Sequence, residues 1–327
     1  MSAVLDALSR GGPRFSLEVV PPSRGADPSS VLKAVESLLP YEPAFVSVTD
    51  HPGGRLWVDY GNAARPVPAR AKPGTLGLCV AIREASGVPV VPHAVCIGND
   101  AFVAEDALID YRYAGFKDVF LVRGDERFAP YAGAAKPEGL GRAIELVRLA
   151  AALNRGEYAG GAARVCQAGL ALGVACYPEK HPAAPNRERD LAAFKEKVDA
   201  GASWSLTQMV FDPGVYADFL ARARAAGVEI PVLPGVKPVT SLRSLLALPA
   251  HFFITIPEGF IREMEEARTP AEERLVGIRR AEALCRGLYD AGAPCLHFFS
   301  MGRSRDTLET LVALFGPRAP AAEAGRL

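Results

Sequence analysis

One carboxylate stands inside an apolar stretch near the start of the chain. The stretch reads RFSLEVVPP, and it carries Glu18 between hydrophobic neighbours. Successive side chains of a strand alternate between two faces, so Ser16 and Glu18 share one face while Phe15 and Leu17 share the other. Burial disfavours the charged form of a carboxyl group and raises its pKa, which would let Glu18 act as a general acid near neutral pH. The alternative is a structural ion pair with an Arg or Lys inside the fold.

Other polar side chains interrupt or follow apolar runs. Thr49 ends FVSVT, His93 interrupts VPVVPHAVC, and Gln208 follows WSLT. A fourth run, VFLV, leads directly into the triplet Arg123-Gly124-Asp125. Each also has an ordinary structural interpretation. Thr49 could be a loop residue, His93 a buried histidine with its hydrogen bonds satisfied, and Gln208 an amide bonded to backbone. The triplet could be an exposed turn.

The elements that must position these residues are short apolar runs, each followed by a helical pattern. Runs such as VPVVPHAVC and GLALGVAC are apolar at nearly every position, which is typical of parallel strands covered on both faces. Their repetition without a break in composition favours α/β architecture as a single-domain (β/α)8 TIM barrel, whose active site lies at the C-terminal ends of the strands. The predicted strands span residues 15–20, 45–49, 88–96, 119–122, 170–176, 204–210, 231–236 and 296–301.

Helices are predicted between the strands. The first has a start signal, because Asp27 can cap it and Pro28 suits the first helical position. Further helices are predicted over residues 186–200, 216–226 and 271–291, and irregular stretches predict long loops over 53–73, 126–137 and 155–164. We expect the barrel to occupy residues 1–315, with a flexible tail over 316–327.

Composition restricts the partners. The 37 basic and 37 acidic residues cancel, so no basic field attracts nucleic acid or an anionic membrane, and a small-molecule ligand is favoured. The six cysteines show no close pairing and are predicted to be reduced and buried. Phosphate-binding glycine loops, a G-x-S-x-G elbow and metal-ligand spacing are absent from the sequence, so no metal is predicted. Without a signal peptide or a spanning apolar run, we expect a cytoplasmic protein.

Eight motifs in order make the sequence more specific. FSLEVVPP, PAFVSVT, PHAVC and LVRGD stand in the first half, and CYPEKHP, KEKVDAGASWSLTQMVFD and IPVLPGVKPVTS follow before CLHFFSMGRS. In order and spacing they resemble the methylenetetrahydrofolate reductase family over nearly the whole catalytic chain. The resemblance implies a barrel that binds FAD without a covalent bond. NADH or NADPH would reduce the flavin and leave before methylenetetrahydrofolate enters the same site.

The resemblance also implies roles for individual residues. Glu18 matches the general acid that protonates the folate's bridging nitrogen and opens the imidazolidine ring to an iminium. Asp125 matches an aspartate near the flavin and the pterin, where its charge makes reduced flavin a stronger hydride donor. The implied folate-binding residues are Gln208, Ser244, Leu248 and Arg303, and the implied FAD-lining residues are Thr49, His93, Arg123, Gly124, Asp125, Tyr177, His181, Asp190 and Lys197.

Several positions depart from the family pattern. Asp50-His51-Pro52 replaces the usual aromatic after Thr49, Val19 and Val20 replace two aromatics, and Glu126 replaces a proline. Leu248 stands where some members have a phenylalanine. Two alternatives therefore stay open: a divergent barrel enzyme with another flavin substrate or no flavin, and a non-catalytic subunit of a larger complex. We also expect a homo-oligomer, and the length implies no adenosylmethionine-responsive regulatory domain.

Overall fold

The structure is a computed structural model, which describes residues 2–51, 54–69, 72–124, 139–161, 167–301 and 304–319. Its strands are β1 (Phe15–Val19), β2 (Val46–Val48), β3 (Gly54–Asp59), β4 (Ala64–Ala69), β5 (Val90–Val95), β6 (Asp118–Val122), β7 (Ala171–Cys176), β8 (Ala202–Met209), β9 (Val232–Val236) and β10 (Leu296–Phe299). Eight of them pair in parallel and close into a barrel in the order β1-β10-β9-β8-β7-β6-β5-β2. The predicted (β/α)8 barrel and its eight strands are confirmed.

Helices alternate with the barrel strands. They are α1 (Ala3–Ser9), α2 (Ser29–Glu36), α3 (Thr75–Ser86), α4 (Ala101–Tyr113), α5 (Ala143–Asn154), α6 (Arg187–Asp199), α7 (Pro213–Ala225), α8 (Leu242–Ala247), α9 (Glu258–Glu266), α10 (Pro270–Asp290) and α11 (Arg305–Phe315). Among the helices described, none is long and apolar enough to cross a membrane.

Helix starts follow local capping chemistry. The Asp27 carboxylate accepts the Ser29 N–H at 2.7 Å at the start of α2, as expected of a capping residue. The helix begins at Ser29, so Pro28, predicted as its first residue, is the N-cap residue instead. The prediction for α7 was wrong by three residues, because the helix begins at Pro213 and not at Tyr216. Asp212 caps it there by accepting the Gly214 N–H at 2.7 Å, and proline suits the first helical turn.

The barrel strands divide their side chains between two cores. Phe15, Leu17 and Val19 of β1 pack in the cluster between the strands and the helices. Ser16 and Glu18, which alternate with them, face the barrel interior as the strand period predicts. The free thiols Cys79, Cys96, Cys176, Cys285 and Cys295 are buried, whereas Cys166 lies outside the described residues.

The N-terminal end of the barrel is closed by α1. Val4 and Ala7 of this helix pack with Trp204, Phe45 and other interior side chains in a second cluster. Asp118, the first residue of β6, accepts the Ala3 N–H at 2.9 Å and also the Ser2 hydroxyl. A buried carboxylate therefore fixes the start of α1 against the barrel. The opposite end of the barrel, at the C-terminal ends of the strands, is not covered by α1 and is the end at which a ligand could enter.

The segment between β2 and α3 corrects a prediction. Residues 53–73 were expected to be a long loop, but β3 and β4 form an antiparallel hairpin outside the barrel. Pro66 and Pro68 in β4 argued against a strand prediction, since proline has no N–H to donate to a neighbouring strand. In a two-stranded hairpin every second N–H points away from the partner, so two prolines spaced by two residues are tolerated. Of the other predicted loops, residues 155–161 contain neither helix nor strand, and 126–137 lie outside the described residues.

Candidate active site

A cavity of about 290 Å³ opens at the C-terminal ends of the barrel strands. Most barrel strands contribute to its wall, which is largely apolar with a few polar groups. Its charged or titratable lining residues, among those the structure describes, are Glu18, His93, Tyr177 and Lys237. The remaining lining residues are Phe120, Val122, Ala175, Leu206, Thr207, Gln208, Met209, Phe252, Phe299 and Met301.

Glu18 stands in this wall with its side chain only 11% exposed. Its Oε2 atom lies 3.9 Å from the Nε2 atom of His93 and 3.9 Å from the Nε2 atom of His297. Strand β1 thus places the carboxyl group between two imidazoles that come from β5 and β10. Within the described part of the chain, no Arg or Lys lies within salt-bridge distance of Glu18, which speaks against the structural ion pair.

The charge state of Glu18 corrects the sequence-based expectation. Burial works to raise the pKa of this carboxyl group, as predicted. Close contact with His297 and electrostatic interactions with His93, His297 and Lys237 outweigh burial, so the pKa of Glu18 lies below its usual value. The carboxyl group is therefore ionised in the ligand-free protein at neutral pH.

His93 supplies a polar atom to the cavity without adding charge. Burial lowers the pKa of His93 to about 4, although the nearby Glu18 carboxylate raises it, so the imidazole is neutral at pH 7. Its ring packs against Phe120 with the centroids 4.8 Å apart. Among the described residues, its Nε2 atom has no hydrogen-bond partner. A buried polar atom at a cavity wall is well placed for a ligand.

His297 lies beside Glu18 inside the barrel, and no sequence prediction named it as a site residue. Its Nδ1 atom lies 2.8 Å from the Ser16 hydroxyl, and its Nε2 atom lies 3.4 Å from the Ser47 hydroxyl. The ring is fully buried and stacks on Phe45. A signal existed in the sequence: two serines and a histidine sit on the inward faces of strands that become neighbours only when the barrel closes.

Gln208 is presented by an irregularity in β8. The register between β8 and β9 shifts between Leu206 and Met209. The Thr207 hydroxyl accepts the Gly235 N–H at 2.9 Å, and the Gln208 Oε1 atom accepts the Met209 N–H at 2.9 Å. A bulge of this kind re-aims a side chain. Here it brings Gln208 to the border of two cavities.

The second cavity is a larger groove of about 600 Å³ that adjoins the first. The two share Val122, Tyr177, Gln208 and Phe252. The second is also lined by Arg123, Gly124, His181, Pro182, Ala183, Ala250, His251 and Phe253. Four of the predicted cofactor residues, Arg123, Gly124, Tyr177 and His181, therefore meet in one place.

Gly124 is required by the backbone at this point. Its φ is +87°, and an added Cβ atom would lie 2.7 Å from Ile97 Cγ2, so any larger residue would be strained and would clash. The neighbouring Arg123 donates from Nε to the Gly141 carbonyl at 3.0 Å. This bond holds the guanidinium group at the cavity.

An aromatic pair forms another part of the wall. The rings of Tyr177 and His181 meet edge to face, with centroids 4.8 Å apart and an interplanar angle of 81°. Burial, then the charges of Arg123, Lys197 and Lys180, lower the pKa of His181. The imidazole is neutral at pH 7, and its Nδ1 atom accepts the Ala183 N–H at 3.1 Å.

Asp190 and Lys197 lie on α6, behind the described lining of both cavities. Burial raises the pKa of Asp190, although a backbone hydrogen bond with His181 and nearby lysines act against it. Burial lowers the pKa of Lys197, partly compensated by Cys176 and Asp190. The Lys197 ammonium group donates to the Ala175 carbonyl at the C-terminal part of β7.

The unusual Asp50 joins three elements at the end of β2. Its Oδ2 atom accepts the Val95 N–H at 3.3 Å, and its Oδ1 atom accepts the Thr75 hydroxyl at 3.2 Å. The preceding Thr49 has its hydroxyl 3.1 Å from the His51 Nε2 atom and does not appear in the lining of either cavity. The carboxylate is thus bound to backbone and hydroxyl groups near the barrel mouth.

Two predicted folate-binding residues lie elsewhere. Ser244 is exposed, and its N–H donates to the Ser241 hydroxyl at 3.3 Å in the first turn of α8. Leu248 is buried in an apolar cluster with Met209, Leu245 and others. Phe252, which no sequence motif marked as functional, borders both cavities. Asp125 and Arg303 lie outside the described residues.

Within the described part of the chain, no group of three or more His, Cys, Asp or Glu residues could hold a metal ion. Among the described lining residues, the donor set of the two cavities is one carboxylate, three imidazoles, two hydroxyl groups, an amide, a lysine and an arginine. Such a set suits proton transfer and hydrogen bonding to an organic ligand.

Comparison with known proteins agrees with the motifs. The model of the family named methylenetetrahydrofolate reductase matches residues 3–314. The 5,10-methylenetetrahydrofolate reductase of Salmonella typhimurium is 28% identical over 296 residues, covering 90% of this chain and 88% of that protein. Methylenetetrahydrofolate reductase 2 of Saccharomyces cerevisiae is 25% identical over 316 residues, covering 93% of this chain and 47% of that protein. The chain thus spans about half the length of the yeast relative.

A solved structure supports the fold alone. A Clostridium thermocellum protein that binds two copies of 5-methyl-5,6,7,8-tetrahydrofolic acid superposes with a TM-score of 0.58 at 12% identity, covering 94% of this chain and 98% of that one. The family match extends from α1 to α11 and includes every strand of the barrel. This chain therefore belongs to the methylenetetrahydrofolate reductase family.

Proposed function

We propose that this chain uses FAD and NADH or NADPH to reduce 5,10-methylenetetrahydrofolate to 5-methyltetrahydrofolate, with the two substrates using one site in turn. Membership of the family supports reduction of methylenetetrahydrofolate with a nicotinamide reductant. The observation that carries the proposal is the position of Glu18: a buried carboxyl group between two imidazoles, in a cavity continuous with a larger groove.

The larger groove has the features that a flavin dinucleotide needs. Gly124 lines the groove without a side chain, so a ligand can approach its backbone closely. Arg123 lines the groove, and Lys197 stands behind it, so positive charge is available for a pyrophosphate. Tyr177 and His181 offer ring faces and edges for an aromatic group. Bound there, FAD would accept hydride from the nicotinamide and return it to the folate.

Glu18 would supply the proton. The carboxylate takes up a proton as the substrate fills the cavity and displaces water, since desolvation favours the neutral acid. Its Oε2 atom then protonates the bridging nitrogen, and the imidazolidine ring opens to an iminium. The carboxylate that remains stabilises this cation in a site that excludes water. His297 holds the carboxyl group in place through its contact with Oε2.

The other polar residues would orient the pterin. Gln208 stands where the two cavities meet, so its amide can bond to the pterin while the bridging carbon faces the groove. His93 would offer its Nε2 atom to the ligand or to Glu18. By their positions in the family motifs, Asp125 and Arg303 would complete the site near the flavin and the folate.

The proposal is tested by following the flavin through both half-reactions. The freshly purified protein should show visible flavin absorption, which NADH or NADPH bleaches under anaerobic conditions and methylenetetrahydrofolate then restores. A colourless protein that consumes the nicotinamide together with methylenetetrahydrofolate would establish the flavin-free alternative. A coloured protein that the folate cannot reoxidise would contradict the proposed substrate, and absence of any turnover would favour a non-catalytic subunit.

A further inference from the structure

Lys237 follows β9, outside the set of residues that the motifs marked as functional. Its Nζ atom lies 3.5 Å from the Phe299 carbonyl oxygen, within donating distance. Phe299 is the residue of β10 that pairs in register with Glu18 of β1. The lysine therefore reaches across one strand toward the carboxyl group of Glu18.

Lys237 also separates two cavities. On one side it lines the 290 Å³ cavity with Glu18, and on the other it lines a cavity of about 170 Å³ whose wall includes Phe211, Val239 and Phe260. In the described lining of both cavities, Glu18 is the one carboxylate. The second cavity is mainly apolar and also contains Arg280, so it offers no negative charge to the ammonium group. Across the larger of these two spaces, the Lys237 ammonium group interacts electrostatically with the Glu18 carboxylate.

Among the described residues, the other titratable groups around Glu18 are Tyr177, which lines the same cavity, and three histidines on different elements. His51 after β2, His93 on β5 and His297 on β10 face the carboxyl group. Burial lowers the pKa of both His51 and His93, so these two are neutral at pH 7. Lys237 is the one lysine or arginine in the described lining of the Glu18 cavity.

We propose that Lys237 is a positioning residue of the reaction, whose ammonium group stabilises the ionised form of Glu18 and so makes this carboxyl group a stronger acid. The role fits the proposed chemistry, because the carboxylate that remains after proton transfer is the form that Lys237 favours. The inference rests on the proposed function for its meaning in catalysis. The electrostatic coupling itself can be measured without folate, flavin or nicotinamide.

The test is the titration of Glu18 in the whole, ligand-free protein. With ¹³C in the side-chain carboxyl of glutamate, the Glu18 signal is identified by its loss in Glu18→Gln. Its midpoint pH should rise by about one unit in Lys237→Met, which keeps the length and the apolar contacts but removes the charge. Lys237→Gln, a second neutral variant, should give the same direction, and Lys237→Arg should keep the midpoint near that of the unmodified protein.

The matched control is Lys180→Met. Lys180 lies over the Phe253 ring at the rim and does not line the Glu18 cavity, so its loss should leave the midpoint unchanged. An unchanged midpoint in both neutral Lys237 variants would overturn the inference. A shifted midpoint without a matching shift in the pH profile of folate reduction would support the inference and count instead against Glu18 as the acid.

Discussion

At Glu18, burial and local charge act in opposite directions on one carboxyl group. Burial raises its pKa, whereas His297, His93 and Lys237 lower it. In the ligand-free protein the net result is a pKa below the usual value. An acid used once per turnover needs both effects at different moments: the proton must arrive when the substrate excludes water, and the anion must be stable after the proton leaves. The surroundings of Glu18 stabilise the anion after the proton leaves, and the bound substrate excludes water so that the proton can arrive.

This balance predicts how folate reduction depends on pH. Free Glu18 has a lowered pKa, so above its usual range the protonated fraction falls about tenfold for each pH unit. We expect kcat/KM for methylenetetrahydrofolate to fall with a slope near that value as pH rises from neutrality. Reduction of the flavin by the nicotinamide, which uses no proton from Glu18, should show no such slope. Stopped-flow rates of the two half-reactions check this, and equal slopes would contradict it.

Lys197 allows a prediction that separates cofactor binding from stability. In Lys197→Ala the Kd for FAD should rise about tenfold or more, because a charged partner of the pyrophosphate is lost. Lys195→Ala on the same helix removes a lysine that pairs with Asp199 on the surface and should leave the Kd unchanged. Fluorescence titration of the apoprotein measures both. Unchanged affinity with a lower Tm would mean that Lys197 only supports the Ala175 carbonyl.

Among the helices and strands, the sequence predicts those whose pattern lies within one short run of residues. The eight barrel strands follow from apolar runs, and the role of Asp27 at the start of α2 follows from a side chain that accepts a nearby N–H group. The hairpin of β3 and β4 was missed, because two prolines weaken its strand signal. The start of α7 was missed although Asp212 and Pro213 are a capping pair, since the apolar stripe begins later.

The attachment of α1 gives a prediction for stability. Asp118→Asn should lower the free energy of unfolding by about 1–3 kcal/mol, because the buried acceptor of the Ser2 hydroxyl and the Ala3 N–H is partly replaced by a donor. Asp6→Asn, on the exposed face of the same helix, should change it little. Chemical denaturation of the two variants compares them. Equal stabilities would show that α1 is held by its apolar contacts alone.

At the scale of the whole molecule, the sequence predicts the barrel and the end that carries the site, but only part of the site. Glu18, His93 and Gln208 were found because each is a polar residue in an apolar strand. His297, Lys237 and Phe252 were missed, since their relation to Glu18 or to the cavity arises only when strands distant in sequence become neighbours. For the same reason the pKa of Glu18 was expected to rise: burial is visible along one strand, whereas the surrounding charge is not.

Glu18→Gln is the variant that shows whether Glu18 donates the proton that opens the folate ring. Glutamine keeps the shape and cannot donate an acidic proton. Glu84→Gln, at a largely exposed carboxylate, is the control for a general effect of charge. In Glu18→Gln, flavin binding and flavin reduction by the nicotinamide should stay near those of the unmodified protein, while reoxidation by methylenetetrahydrofolate should slow by about 10²–10⁴-fold. Reoxidation at the unmodified rate would contradict the account.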